Sequence, residues 1–375
     1  MNPINSTMDS TNPSIKLVAV GDIMLGDLPA CFGFGVGSMI KRYGSNRLFS
    51  KIKKELTGAD MLIGNLEAVL SDQNRQTLWP PSQYLRGDKK AINILKETGF
   101  SVLSVANNHM MQHGPAAFHE TVELLLKAGI NVAGLKDNPP FHSKPVILNV
   151  KGIVIGILGY SLRPEEYHPE DVLYCQGSER VIAEDIKRLR PDVDKVILLA
   201  HWGDEFIARP APHQVKMART LVDYGADLII GHHPHVLQGI EQYKGGVIAY
   251  SLGNFIFDMW LPNTKQSIIL KIDCNNNGVN EVDALPIEIN DEYQPEAITG
   301  SRKTLFMEYF KGLCKQFDAY NMDETDYNVE LKKCFQVYRD STRFHYLKNL
   351  YRYNIFYLIE FLLIILLRRF FNKHI

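Results

Sequence analysis

Three of the chain's twelve histidines fall within four positions, in the turn Gly231-His232-His233-Pro234-His235 that follows the apolar run Leu228-Ile229-Ile230. Neutral imidazole is the commonest side-chain metal ligand, and a residue before proline is steered from the helical region toward extended backbone. Side chains two apart on an extended backbone point the same way, so His233 and His235 are expected to face one site. A capped turn carrying surface imidazoles would read the same in isolation. The rest of the chain decides between them.

The pattern recurs. Other short apolar runs stop at Gly21-Asp22-Ile23-Met24, Gly64-Asn65-Leu66-Glu67, Asn107-Asn108-His109, His201-Trp202-Gly203-Asp204-Glu205 and Ser251-Leu252-Gly253-Asn254. Each residue has a plain structural explanation when taken singly. Asp22 fits a cap, Asn65 and Asn108 fit turns, Glu67 fits a solvated side chain, and His109 and His201 fit core histidines. Independent turns, however, have no reason to place metal-type side chains after every run. Carboxylate, amide and imidazole without thiolate suit a divalent ion such as Mn²⁺, Fe²⁺ or Zn²⁺. The groups suffice for one ion, or for two about 3.5–4 Å apart that share a carboxylate, activate water and stabilise both oxygens of a phosphoryl displacement.

The elements that must position these groups are legible in outline. Ile15 to Val20, Met61 to Ile63, Val102 to Ala106, Lys195 to Ala200 and Val247 to Tyr250 have the length and composition of buried strands. Segments with helical spacing, Leu48 to Leu56, Ala91 to Thr98 and Val215 to Tyr224, alternate with them. Such alternation implies an α/β fold whose ligands bind beyond the carboxyl ends of the strands. Two hairpins are expected as well, Pro145 to Val150 with Ile153 to Tyr160, and Ser267 to Cys274 with Asn280 to Ile289. Hairpins and crossovers together fit a mixed two-sheet sandwich with outer helices better than one parallel sheet.

Composition excludes several classes. Forty-one basic against forty-two acidic residues give a net charge of -1, so no whole-protein field draws in nucleic acid, which is not expected as a partner. The five cysteines form no Cys-x-x-Cys pair, and there is no glycine-rich phosphate loop, nucleophile elbow or His-Glu-x-x-His helix. Arg86 is weighed as a bidentate substrate-binding residue for an anion, against a surface arginine. Residues 1–14 are polar and lack a secretory signal's basic start and apolar run, so they are expected to be disordered and the protein cytoplasmic. The main domain is expected over 15–290, a helical extension over 291–350, and an apolar helix over 351–375. That last helix is expected to associate with a membrane, the alternative being burial on the domain or in an oligomer.

The ordered set Gly21-Asp22-Ile23-Met24, Asn65-Leu66-Glu67, Asn107-Asn108-His109, His201-Trp202-Gly203, the histidine pentad and Leu252-Gly253-Asn254-Phe255 resembles the CapA family of bacterial capsule (poly-γ-glutamate) biosynthesis proteins. That family is similar to the calcineurin-like metallophosphoesterases. The resemblance spans about Ile15 to Ile289 and implies a four-layer sandwich of two β-sheets flanked by helices. Carried over by motif, Asp22, Glu67, Asn108, His201, His233 and His235 are implied as metal-site residues, with Asn65, His232 and Asn254 supporting. His109, with Asn108, is implied as catalytic, helping to neutralise the transition state or to protonate the leaving group. One departure stands out: the superfamily's Asp-x-His opening appears here as Asp22-Ile23-Met24, and a thioether is a poor ligand for a hard ion.

Three functions follow as expectations. The first is a metal-dependent hydrolase of phosphoesters that uses a metal-activated water. The second is a non-catalytic polymer-binding or scaffold component of a capsule synthesis complex with membrane partners. The third is a metal-dependent γ-glutamyl amide hydrolase. The substrate is expected to be a phosphoester or an anionic polymer.

Overall fold

The computed structural model describes residues 13–76, 80–139, 141–353 and Tyr357. Two sheets lie face to face. In spatial order the first holds Pro295–Ala297, Gly278–Ile289, Gln266–Asn275, Ile15–Ile23, Met61–Leu66, Phe100–Ser104 and Asn131–Ala133, with Asn254–Ile256 paired to the end of Ile15–Ile23. The second holds Ile240–Tyr243, Gly246–Ala249, Leu228–His232, Lys195–His201, Ile153–Ser161 and Val146–Val150.

Side-chain alternation along the strands builds the layers. Leu17 and Ala19 point inward to meet Ile155, Ile197 and Ile230 of the second sheet. Val18 and Val20, one residue out of step, pack outward with Leu95 of helix Ile92–Thr98 and Phe118 of helix Pro115–Lys127. On the far side, Leu158, Leu198 and Ile229 pack against Ile182 of helix Glu179–Leu189 and Val215 of helix Pro212–Asp223. The result is the four-layer order helix, sheet, sheet, helix. Each fully buried branched side chain contributes roughly 1.5–3 kcal/mol, so one-residue register slips are strongly disfavoured.

Both expected hairpins form. The first turns at Lys151 and Gly152, whose φ values of 52° and 87° meet the demand of a tight hairpin turn for two left-handed residues. The second pairs Gln266–Asn275 with Gly278–Ile289 antiparallel. The segment from Leu48 to Leu56 differs from the helix its spacing suggests. It is a run of turns with a helix only over Lys53–Leu56, because Leu48, Phe49 and Ile52 reach the core without a continuous helix to carry them.

The C-terminal part is helical, over Gly300–Lys315 and Glu324–Lys348, and it docks on the sandwich. Phe306 and Phe310 close the inter-sheet core, and Tyr338 stacks on Phe206 with ring centroids 4.0 Å apart. The edge strand Pro295–Ala297 carries the first sheet beyond residue 290. Among the described residues no helix is long and apolar enough to cross a membrane. The apolar run expected over 351–375 lies largely outside the described residues, as does the polar segment 1–14.

Candidate metal centre

The central strands of both sheets are parallel and stop at one edge, where the polar clusters gather. Asp22, at the end of Ile15–Ile23, stands between Asn65 on one neighbouring strand and Asn254 on the other. Register shifts at this point mark a bulge, a device that re-aims side chains at strand ends. The strands approach so closely that a Cβ on Gly21 would sit 1.9 Å from the Gly253 carbonyl oxygen, which is why glycine precedes the aspartate. In the second sheet, His201 and His232 lie side by side on paired strands. Trp202 packs in the core, as its bulk suggests, and donates its indole N–H to the Tyr250 carbonyl at 2.9 Å.

The histidine turn is not extended. His233 has φ 96° and His235 φ 58°, so the two rings converge through left-handed backbone and not through the alternation of a strand. Such conformations are costly for side-chain-bearing residues and persist where their surroundings over-determine them. Here the His233 amide donates to Asp22 Oδ2 at 3.1 Å, and the Pro234 carbonyl accepts from the Phe206 amide at 2.9 Å. His232 turns away from the cluster, with Nε2 3.2 Å from the Val20 carbonyl, and so ties the sheets together.

Glu67 is the centre of the arrangement. It is fully buried, and neither of its carboxylate oxygens has a hydrogen-bond partner. Around Oε1 stand the Nε2 atoms of His201 at 3.7 Å, His235 at 3.7 Å and His109 at 3.9 Å. These separations are too long for hydrogen bonds. They suit donors on a shared ion, since metal–nitrogen and metal–oxygen bonds of about 2.0–2.2 Å place two ligands roughly 3–4 Å apart. Both ring nitrogens of His233 are likewise buried without a partner. Among the described residues, three groups have candidate ligand atoms within 4.8 Å of one another: Glu67, His201 and His233; Asp22, Glu67 and His235; and Glu205, His233 and His235. The orphaned donors therefore fit a divalent metal.

Supporting contacts fix the rings. His235 Nδ1 lies 3.0 Å from Asn254 Oδ1 and 3.4 Å from Asp22 Oδ2, which aims Nε2 at Glu67. Asn65 donates Nδ2 to Asp22 Oδ1 at 2.9 Å, and its Oδ1 accepts from Asn107 at 3.1 Å. Asn108 Oδ1 is 2.8 Å from His201 Nε2. Gln112 holds His109 Nδ1 at 3.1 Å, leaving Nε2 toward the site.

Charge is unevenly shared. Burial and the neighbouring Asp22 charge push Glu67 well above the usual carboxylate range. Burial also acts on Asp22, but the hydrogen bond and charge of His235, with His232 and Asn65, hold it below the usual range. For His235, burial opposes protonation, yet Glu67 and Asp22 outweigh it and raise the imidazole to about 10. Burial lowers His109 to about 4, and burial with neighbouring imidazoles drives His201 and His233 far down. Without metal at neutral pH, Asp22 and His235 form an ion pair, and His109, His201 and His233 are neutral.

The structure thus brings together Asp22, Asn65, Glu67, Asn108, His109, His201, His233, His235 and Asn254. Arg86 is buried, at 3% exposure, so it is not a surface arginine. Its guanidinium donates to the Gln73 carbonyl at 2.9 Å, among the charges of Arg75, Asp72 and Glu120. Glu205 was passed over, although it stands in the same strand-end cluster as His201, and a carboxylate four residues after a candidate ligand was the available signal.

The family model for bacterial capsule synthesis protein PGA_cap matches residues 16–259. The capsule biosynthesis protein CapA of Bacillus anthracis is 32% identical over 304 aligned residues, covering 77% of this chain and 71% of that protein. The PGA biosynthesis protein CapA of Bacillus subtilis (strain 168) is 29% identical over 280 residues, covering 72% of this chain and 71% of its own. Among solved structures, the 5'-nucleotidase from Candida albicans SC5314 is 12% identical with a TM-score of 0.41, covering 88% of this chain and 58% of that one.

Proposed function

Because the chain belongs to the PGA_cap family of bacterial capsule synthesis proteins, we propose that it is a metal-dependent phosphoester hydrolase serving the synthesis of an anionic capsule polymer. One observation carries this reading: the buried, unpartnered carboxylate of Glu67, ringed by three imidazole nitrogens at distances that suit a shared cation. A bound Mn²⁺, Fe²⁺ or Zn²⁺ would lower the pKa of water and draw charge from the reacting phosphoryl oxygens.

The side chains divide the remaining work. Asp22, Glu67 and His235 would hold one metal ion, and Glu67, Asn108, His201 and His233 would hold a second. Asn254 and Asn65 fix the rings and carboxylate in the orientations that binding needs. His109 enters neutral, with Nδ1 held by Gln112 and Nε2 turned into the site, so it would first accept a proton from the attacking water. An anionic substrate beside it raises its pKa and lets it return that proton to the leaving oxygen.

A polymer-binding scaffold without catalysis is favoured by a different observation: Asp22, Glu67, His201, His233 and His235 are each no more than 2% exposed. One experiment separates these readings. Purified protein is dialysed against Mn²⁺, its metal content measured, and turnover followed on phosphoester and γ-glutamyl substrates. Phosphoester hydrolysis that disappears in His201→Ala and His233→Ala supports the hydrolase. Metal bound without turnover of any substrate overturns it in favour of the scaffold, and turnover of γ-glutamyl bonds alone reassigns the substrate.

A further inference from the structure

We infer that Glu205 is a metal ligand that acts with His233 and His235; the inference rests on the metal-centre reading given above. Glu205 lies on the loop after strand Lys195–His201. Its neighbour Phe206 is held at φ 69°, with its amide donating to Pro234 of the histidine turn at 2.9 Å. The ring of Phe206 is clamped from outside by Tyr338 at 4.0 Å. The loop is therefore pinned to the turn at its backbone and fixed from above, and a Glu205 oxygen comes within 4.8 Å of ring nitrogens of both His233 and His235.

What makes this a site is unmet bonding capacity on both sides. Among the described residues Glu205 has no hydrogen bond or ion pair. His233, 2% exposed, has no partner for either ring nitrogen. A cation between these groups would satisfy them together. Met24 adds a reason for a further carboxylate. Its side chain is wholly buried among Ala68, Leu85, Phe206 and Phe257, so the strand bearing Asp22 offers only one good donor to the centre. Glu205 supplies from the second sheet what that strand lacks.

The test is Mn²⁺ titration of the full chain, wild type against Glu205→Gln, followed by the paramagnetic resonance signal of free Mn²⁺ and by the thermal shift that Mn²⁺ produces. Glutamine keeps the size of the side chain, and the metal-free variant is expected to melt with the wild type because no bond within the protein is lost. Its Mn²⁺ affinity is expected to fall more than tenfold, with a smaller thermal shift. Glu205→Asp, which keeps the charge and shortens the reach, is expected to fall between. Glu205→Gln binding Mn²⁺ with wild-type affinity and stoichiometry overturns the inference while the metal-centre reading stands. Wild type binding no Mn²⁺ overturns both.

Discussion

Among the described residues, two buried pairs of carboxylates meet the same electrostatic problem with different partners. Asp22 and Glu67 stand among histidines, with both oxygens of Glu67 left without partners. Asp27 and Asp258 stand either side of Gly35, where a Cβ would lie 1.9 Å from one carboxylate and 2.8 Å from the other. Asp27 accepts from the amides of Gly33 and Ser38 at 3.0 and 2.8 Å and from the Ser38 hydroxyl, so its carboxylate organises the turn into helix Val36–Tyr43. Asp258 accepts from the Leu28 amide at 2.9 Å. Burial, together with the neighbouring charge of Asp27, raises Asp258 far above the usual carboxylate range. Backbone amides make a carboxylate structural. Imidazoles standing just beyond hydrogen-bond reach prepare one for a cation.

That contrast can be broken most sharply by removing imidazoles. His201→Ala and His233→Ala are expected to lose retained metal and, with it, activity. Their losses should exceed the roughly 10–100-fold that removal of a supporting residue costs. Metal analysis after dialysis checks this, and full retention would remove the distinction between the two pairs. Asn254→Ala comes next, with Mn²⁺ affinity falling roughly 10–100-fold as His235 loses its orienting acceptor.

A pH series sharpens the comparison further. Without metal, His235 holds a proton at neutral pH, and a cation must displace it. Mn²⁺ affinity is therefore expected to rise with pH, and calorimetry in buffers of different ionisation heat is expected to show proton release on binding. Stability of the metal-free protein runs the other way. His235 is raised from 6.5 to about 10, so its contribution is full below about pH 6.5 and lost as pH rises through about 10. Chelated protein is expected to melt progressively lower across that window, and a flat profile would refute the assignment of charge.

Asp258→Asn gives the smallest effect. A carboxyl raised above its unfolded value stabilises only below the ordinary carboxylate range, and that contribution is lost as pH rises through its folded value. Asparagine keeps the acceptor for Leu28 and removes the charge. Neutral-pH stability is expected to stay level or rise by about 1 kcal/mol, seen as about 2–4 °C in Tm, with metal binding unchanged. Loss of metal in this variant would make the two pairs one system.

How much was legible in the chain follows from what each signal depends on. Strand ends, both hairpins and the layer order were readable because burial patterns and turn residues are local, and six polar clusters in order carried the family. The backbone of the histidine turn was not, since the left-handed conformations of His233 and His235 are imposed by Asp22 and Phe206 from distant parts of the chain. Glu205 was missed for a similar reason: only the docked loop shows that it faces His233 and His235. Helical spacing over Leu48 to Leu56 misled because Leu48, Phe49 and Ile52 reach the core from turns. Arg86 was weighed against a surface arginine, and only the folded chain shows it buried, with its guanidinium donating to Gln73.

The centre straddles the two sheets. Asp22, Asn65, Glu67 and Asn108 belong to the first, His201, His233 and His235 to the second, and the Asp22–His233 contact closes 211 residues of chain. Neither half has the complete set of donors. A metal ion can therefore reward only a chain that has already brought its halves together, so occupancy reports the end of folding and not its beginning. Metal should slow the separation of the sheets far more than it hastens their meeting, making the ion a latch on unfolding.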